Sequence, residues 1–294
     1  GPAPSVTYWR VTPSLLAVGI PGATAEVPLS LVVRPGGSSR LIPAAALYQS
    51  MTVRHDGLTV EWLGYATIKL AGEDTTVYVD PGRYGILTGE WEPDTEDIGH
   101  PPSRDYRPED GDVVCVTHIH HYDPDGIERV AGDDATIIAF EGIDTQAPGR
   151  DLPALAELGY EVRRVGTKDS LSVGDVPAYN RPDGPNTRPD GTPYHPEGFG
   201  CGYVLNVEGT RVLYPGDTDV LPGHRTIDCS LFCPPIGQRF TMNRHEAATL
   251  ADTIDPNLVL PVHYNTFSTQ EIDSRAFAAD VAASGVPVVL DEGR

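Results

Sequence analysis

The sequence predicts an α/β fold of two stacked β-sheets with helices on their outer faces. Two observations predict it. From Met51 onward, short β-rich runs alternate with turns, and they gather into two halves. Helical segments close each half, and an apolar sheet face and an apolar helix stripe must bury one another.

The elements follow in order. Residues 58–63, 66–70 and 75–79 read as a strand meander, with turns at Asp56-Gly57 and near Gly72, closed by Asp80-Pro81-Gly82. Residues 81–110 are loop-like and rich in Pro, Gly and acidic side chains. A buried strand over 112–116 ends at Thr117. Residues 126–131 form a short helix, 135–140 a strand and 152–158 a helix, followed by β-rich sequence to Tyr179. A long polar loop spans 180–198, a length typical of functional or disordered segments. Strands at 201–207, 211–213 and 230–232 precede a helix over 244–254, where Ala247, Leu250, Ala251 and Ile254 recur at helical spacing. A strand at 258–262, a helix at 274–283 and a last strand at 288–290 complete the chain.

Composition narrows the class. The chain has 294 residues, 39% of them hydrophobic, with a net charge of −21. Such charge repels nucleic acid and anionic lipid, so neither is expected as a partner. No apolar run approaches the ~20 residues of a membrane span. Lys69 and Lys168 are the only lysines. Acid excess with scarce lysine resembles the proteins of extreme halophiles, where salt screens self-repulsion. The cysteines, Cys115, Cys201, Cys229 and Cys233, form no C-x-x-C pair and read as buried, reduced thiols of a cytoplasmic protein. Residues 1–50 differ: they hold one acid, Glu26, and three bases, Arg10, Arg34 and Arg40, without a sustained period. They read as a flexible or non-native extension of a functional domain at 51–294.

The strongest local signal is Thr117-His118-Ile119-His120-His121-Tyr122-Asp123-Pro124-Asp125. A hydrophobic strand runs into three histidines and two carboxylates, which are ligand types for zinc, manganese or iron. His118 and His120, one residue apart at a strand end, point the same way. Further on, Asp217 and Asp219 follow a strand, His263 ends another, and His195 lies in the long loop. Each is weak alone. Together they set His and Asp at several strand ends, where a sheet-based metal site is built.

The order T-H-x-H, loop His, G-D-T and P-x-H-Y resembles the metallo-β-lactamase superfamily. The runs "HPEGFGCGYVL", "RVLYPGDTD", "FTMNRHEAA" and "PNLVLPVHYNTF" are similar to its L-ascorbate-6-phosphate lactonase-like branch. The resemblance implies a four-layer αββα sandwich over 51–294. It implies a first metal site of His118, His120, His195 and Asp217, and a second of Asp123, Asp217 and His263. The family pattern H-x-H-x-D-H is broken here, since Tyr122 and Asp123 stand where Asp and His are usual, so His121 or Asp125 are alternatives at the second site. The expected cofactor is zinc, with manganese or iron as alternatives, as one or two ions. The expected reaction is hydrolysis of an ester, lactone or phosphoester by metal-activated water, with Asp123 and Asp217 catalytic. Arg239, Asn180, Tyr194 and Tyr264 are candidate contacts for a small-molecule substrate, and a homo-oligomer is left open. Two rivals stand: a di-iron oxidoreductase on the same fold, and a non-catalytic metal-binding protein.

Overall fold

A computed structural model describes residues 53–92, 105–143, 151–166 and 174–292, within one unit, Ser50–Arg294. The expectation for residues 1–50 lies outside the described residues. The first sheet has seven strands in sequence order: β1 (Val53–His55), β2 (Leu58–Gly64), β3 (Thr67–Ala71), β4 (Thr76–Val79), β5 (Gly111–Val116), β6 (Ala131–Phe140) and β7 (Glu161–Val165). The second has five, β8 (Gly174–Ala178), β9 (Gly200–Val207), β10 (Thr210–Tyr214), β11 (Leu231–Phe232) and β12 (Leu258–Val259), in the order β12-β11-β10-β9-β8.

Local chemistry sets the hairpins. Asp56-Gly57 and Glu208-Gly209 each take positive φ at both residues, the two-residue turn whose twist matches antiparallel strands. They join β1 to β2 and β9 to β10. Alternation then decides the faces: Leu58, Val60 and Trp62 of β2 are buried, while Thr59 and Glu61 are half-exposed. From β4 to β7 the pairing becomes parallel, as it does from β10 to β12.

Tyrosine hydroxyls tie the sheets together. Tyr203 of β9 donates to Val116 O at 2.7 Å, and Tyr214 of β10 donates to Ala66 O at 2.7 Å. One apolar core runs through both sheets and includes all four cysteines. Burial raises the Cys115 and Cys233 thiols and pushes Cys229 up to about 12.

The helices are α1 (Pro124–Val130), α2 (Arg244–Ile254) and α3 (Ser274–Ala283). Asn243 caps α2 by accepting from His245 and Glu246 N–H, and Glu246 returns a bond to Asn243 N–H. Ala247, Leu250 and Ala251 face inward, and α2 packs beside α3 through Phe277 and Val281. No helix among the described residues is long and apolar enough to cross a membrane.

Three expectations are corrected. Residues 152–158 hold a single 3₁₀ turn, Leu155–Glu157, because a segment this short, ended by Gly159 at φ +84, cannot repay helix nucleation. The strand expected at 288–290 is an isolated bridge from Val288 to Val259. The strand from 112 starts at Gly111, and β6 starts at Ala131, where a helix end was expected.

The second sheet meets its own loop closely at Gly202. A Cβ there would lie 2.4 Å from the carbonyl oxygen of Pro215, two residues before Asp217. Gly202→Ala is therefore expected to cost roughly 1–3 kcal/mol by overpacking. Thermal melts should show Tm lowered by several degrees; an unchanged Tm would show that the backbone has room to give.

Candidate metal centre

Strand ends converge on one edge. Asp80 follows β4, and Thr117 and His118 follow its parallel neighbour β5. In the second sheet Asp217 follows β10 and His263 follows β12, two strands of a parallel trio. Open parallel sheets gather ligands at these carboxyl ends. Gly216 holds φ +70 and His263 φ +59, so both segments turn sharply as they leave the sheet.

The strand ends where the sequence places its end, and the histidines follow on a turn rather than on extended chain. It ends at Val116, and Ile119–His121 form a 3₁₀ turn with His118 as its N-cap. Side chains three apart eclipse one another on such a turn, so His118 and His121 share a side. Their rings lie 4.3 Å apart. The His120 ring faces a different neighbour: its Nδ1 lies 3.2 Å from His195 Nε2.

Asp217 Oδ2 sits at the centre. The Nε2 atoms of His118, His121, His195 and His263 lie 3.7, 3.6, 3.6 and 3.2 Å from it. All five side chains are buried. Among the described residues, Nε2 of His118, His121 and His263 has no hydrogen-bond partner. Unpaired polar atoms in a dry interior are costly, so they call for a ligand. A metal ion fits. Two N or O ligands at about 2.0–2.2 Å on a tetrahedral ion stand about 3.3–3.6 Å apart. Two donor sets, His118/His120/His195 and His118/His121/Asp217, each have donor atoms within 4.8 Å of one another.

Electrostatics agrees with this donor set. Burial, with His121 next, drives His118 well below the usual histidine value. Burial and then His195 hold His120 down at about 3. Burial also lowers His195, outweighing the pull of Asp217. These imidazoles are therefore neutral and able to ligate near neutral pH. His121 is the exception: burial opposes its charge, but Asp217 and Asp80 outweigh burial and raise it. Burial works against the Asp217 carboxylate as well, yet His263 and His121 hold it well below the carboxylate range.

A second layer orients the rings. Asp80, fully enclosed at φ +47, accepts from Thr117 N–H (2.8 Å) and Thr117 Oγ1 (2.7 Å) and meets His121 Nδ1 at 2.7 Å. His121 Nε2 is thereby turned toward Asp217. Asn180 Oδ1 accepts from His195 N–H at 2.9 Å and lies 3.2 Å from His195 Nδ1. Asn180 Nδ2 donates to Asp219 and to Phe240 O. Phe199 lies against the rings of His118, His120 and His195.

The remaining sequence candidates lie elsewhere. Asp123, expected at a second ion, is the N-cap of α1: its carboxylate accepts from Gly126 N–H and Arg83 N–H. A Pro at the first helical position leaves those lone pairs as the natural cap. Asp125 pairs at the surface with Arg129 at 2.7 Å. Asp219 accepts from Asn180, Asn186 and Arg181 N–H and so fastens the 180–186 loop. Tyr194 packs on Phe240 beneath Arg188. Arg239 is exposed over Phe240. Tyr264 is buried and stacked on Trp62, with ring centroids 4.5 Å apart. Sequence reading missed Asp80, although a carboxylate directly after a strand was the same signal that nominated Asp217.

Residues 59–263 match the family of the beta-lactamase superfamily domain. A UPF0173 metal-dependent hydrolase of Methanopyrus kandleri is 29% identical over 251 residues, spanning 80% of this chain and 98% of its own. A solved structure from Parabacteroides distasonis, described as a metal-dependent hydrolase, is 26% identical with TM-score 0.57, covering 79% of this chain and 92% of that one. The di-iron β-hydroxylase CmlA of Streptomyces venezuelae shares the fold alone, at 14% identity and TM-score 0.51 over 80% of this chain and 53% of that one. The αββα arrangement, the strand-end histidines and these relatives agree: the chain belongs to the beta-lactamase superfamily, and its relatives are metal-dependent hydrolases.

Proposed function

We propose that the protein hydrolyses an ester, lactone or phosphoester with two metal ions, zinc foremost, held around Asp217. His118, His120 and His195 with Asp217 would hold one ion, and His121 and His263 with Asp217 the other. The observation that carries this reading is the set of four imidazole nitrogens within 3.7 Å of one buried carboxylate oxygen. The donor set is rich in imidazole and has a single carboxylate, which suits zinc better than the harder manganese. When bound, the ions would supply a water acidified to near-neutral pKa and a Lewis acid for the scissile carbonyl or phosphoryl oxygen. The chain's own groups orient the donors. Asp80 holds His121 by Nδ1, and Thr117 Oγ1 sits 2.9 Å from His118 Nδ1. Asn180 positions His195 and Phe199 keeps bulk water off that side. At the second ion His121, already an alternative in the sequence reading, stands in place of Asp123.

Variants separate these roles. His118→Ala and His120→Ala should each remove most bound metal. Asp80→Asn should lower metal affinity or turnover 10- to 100-fold, as loss of a ligand's hydrogen-bond partner typically does. Asp123→Ala should keep full metal content and lose about 1 kcal/mol through its cap. Elemental analysis and hydrolysis of aryl ester and phosphodiester panels, before and after chelation, read metal content and turnover in all four variants, and thermal melts read the loss of the cap. Metal lost from Asp123→Ala but retained in His121→Ala would reverse the assignment. Turnover that survives complete chelation would end the metal-dependent reading, and no turnover of any panel member by metal-loaded protein would end the hydrolytic one.

The protonation pattern gives a further expectation. His118, His120 and His195 hold folded-state pKa values below the unperturbed value of about 6.5. As pH falls below that value the unfolded chain takes up protons that the folded chain refuses, so stability falls. His121, raised, acts above that window: it adds stability as pH falls toward about 6.5 and nothing further below it. Asp217, lowered, adds a further loss at more acidic pH. Chelated protein should therefore melt at a lower temperature at pH 5 than at pH 7. A Tm rising on acidification would mean that His121 outweighs the other three.

A further inference from the structure

The loop after β4 has an unusual backbone. Asp80, Gly82, Arg83, Tyr84 and Gly85 all hold positive φ, with Arg83 at +72 and Tyr84 at +55. Left-handed conformations at side-chain-bearing residues cost energy and persist where surrounding contacts fix them. Here the contacts are plain: Arg83 N–H donates to Asp123, Ile86 N–H to Arg83 O, and Trp91 N–H to Gly85 O. The loop is thus held rigid beside the histidines. It presents Arg83 and Tyr84. Among the described residues, the buried Arg83 Nη1 has no hydrogen-bond partner, and the guanidinium lies 4.5 Å over the Tyr84 ring.

The neighbours of this loop lead to the centre. Tyr84 meets Tyr65 at 5.6 Å and Phe267 at 5.1 Å between ring centroids. Tyr65 in turn lies 4.5 Å from the His263 ring and 5.1 Å from the His121 ring. Tyr84 is the one large hydrophobic residue exposed among those described, at 52%. The positive charge of Arg83 is felt at His120, His121 and Tyr65, where it opposes further positive charge or favours the ionised phenol. A fixed cation beside a site that gathers metal cations is repulsive unless an anion joins them. An apolar aromatic wall next to an unpaired guanidinium is the chemistry of a site for a ring-bearing anion.

Resting on the hydrolase reading above, we propose that Arg83 binds a carboxylate or phosphoryl oxyanion of the substrate while Tyr65, Tyr84 and Phe267 hold its apolar body. The substrate class is therefore an anionic ester, lactone or phosphoester with a flat or aliphatic hydrophobic part. Arg83 takes the anion-binding role that the sequence had offered to Arg239.

The test is calorimetric titration of the full chain, loaded with zinc, with benzenesulfonate and with methyl phenyl sulfone. The two probes share a shape, differ in charge, and are poor zinc ligands. Benzenesulfonate should bind about 10- to 100-fold more tightly than the sulfone, the range of a charge-assisted hydrogen bond. Arg83→Met should erase that difference, and Arg83→Lys should restore part of it. Benzoate and phenylphosphonate titrated against metal-free protein distinguish the two oxyanions: the tighter one, if its affinity falls in Arg83→Met, names the class. Zinc content of the same samples reports separately on the metal site. Equal binding of the two probes, no binding of benzenesulfonate at millimolar concentration, or unchanged affinity in Arg83→Met would each overturn the proposal. Arg83→Gly relaxes the φ of +72 and should leave Tm unchanged or higher. A lower Tm with unchanged affinity would make Arg83 a structural residue and reject the site.

Discussion

Asp217 is a carboxylate buried among imidazoles, and the rest of the site is arranged around that fact. An anion in a low-dielectric interior must be matched by positive charge and by hydrogen-bond donors. Four ring nitrogens surround Oδ2, yet three of them belong to rings without a partner for Nε2. Two of the four rings, His118 and His195, are driven to neutrality by burial. Neutral imidazoles around a carboxylate leave a net negative, under-satisfied pocket. A divalent cation is the simplest group that satisfies every atom at once. The same logic explains why both sheets are needed: Asp217 and His263 leave the second sheet, while His118 and His121 leave the first.

The second layer converts loose side chains into fixed donors. Asp80 occupies both oxygens on Thr117 and His121, and Tyr214 donates to it from the opposite sheet at 3.3 Å. Asp219, Asn180 and Asn186 form a buried polar knot that fastens the 180–198 loop and carries His195 into place. Such networks are stable only when every member is satisfied, and this one uses main-chain groups of Arg181, Phe240 and Thr241 to complete itself. The long loop is thus ordered by hydrogen bonding more than by apolar packing, and it serves function by delivering a single histidine.

Much of this was legible in the sequence, for physical reasons that can be named. Short β-rich runs between turn residues marked β2 and β3, and helical spacing marked α2 over its full length. Strand-end His and Asp residues marked the convergence of His118, His195, Asp217 and His263. The failures came where local geometry departs from period. His118 and His120 do come together with His195, but on a 3₁₀ turn that also sets His121 beside His118, a neighbour that strand geometry does not foresee. The resemblance placed Asp123 at the second ion, while locally it stands before Pro124 and caps a helix, a role visible only once the helix start is known. The left-handed run from Asp80 to Gly85 leaves no periodic trace, so Arg83 and Tyr84 passed unnoticed.

The measurement closest to the central claim is anomalous diffraction from crystals of the zinc-loaded protein, collected on both sides of the metal edge. The account expects anomalous density beside Asp217 Oδ2, with His121 Nε2 among the ligands and Asp123 still on Gly126 N–H. Density on Asp123, or metal bound away from Asp217 altogether, would contradict it.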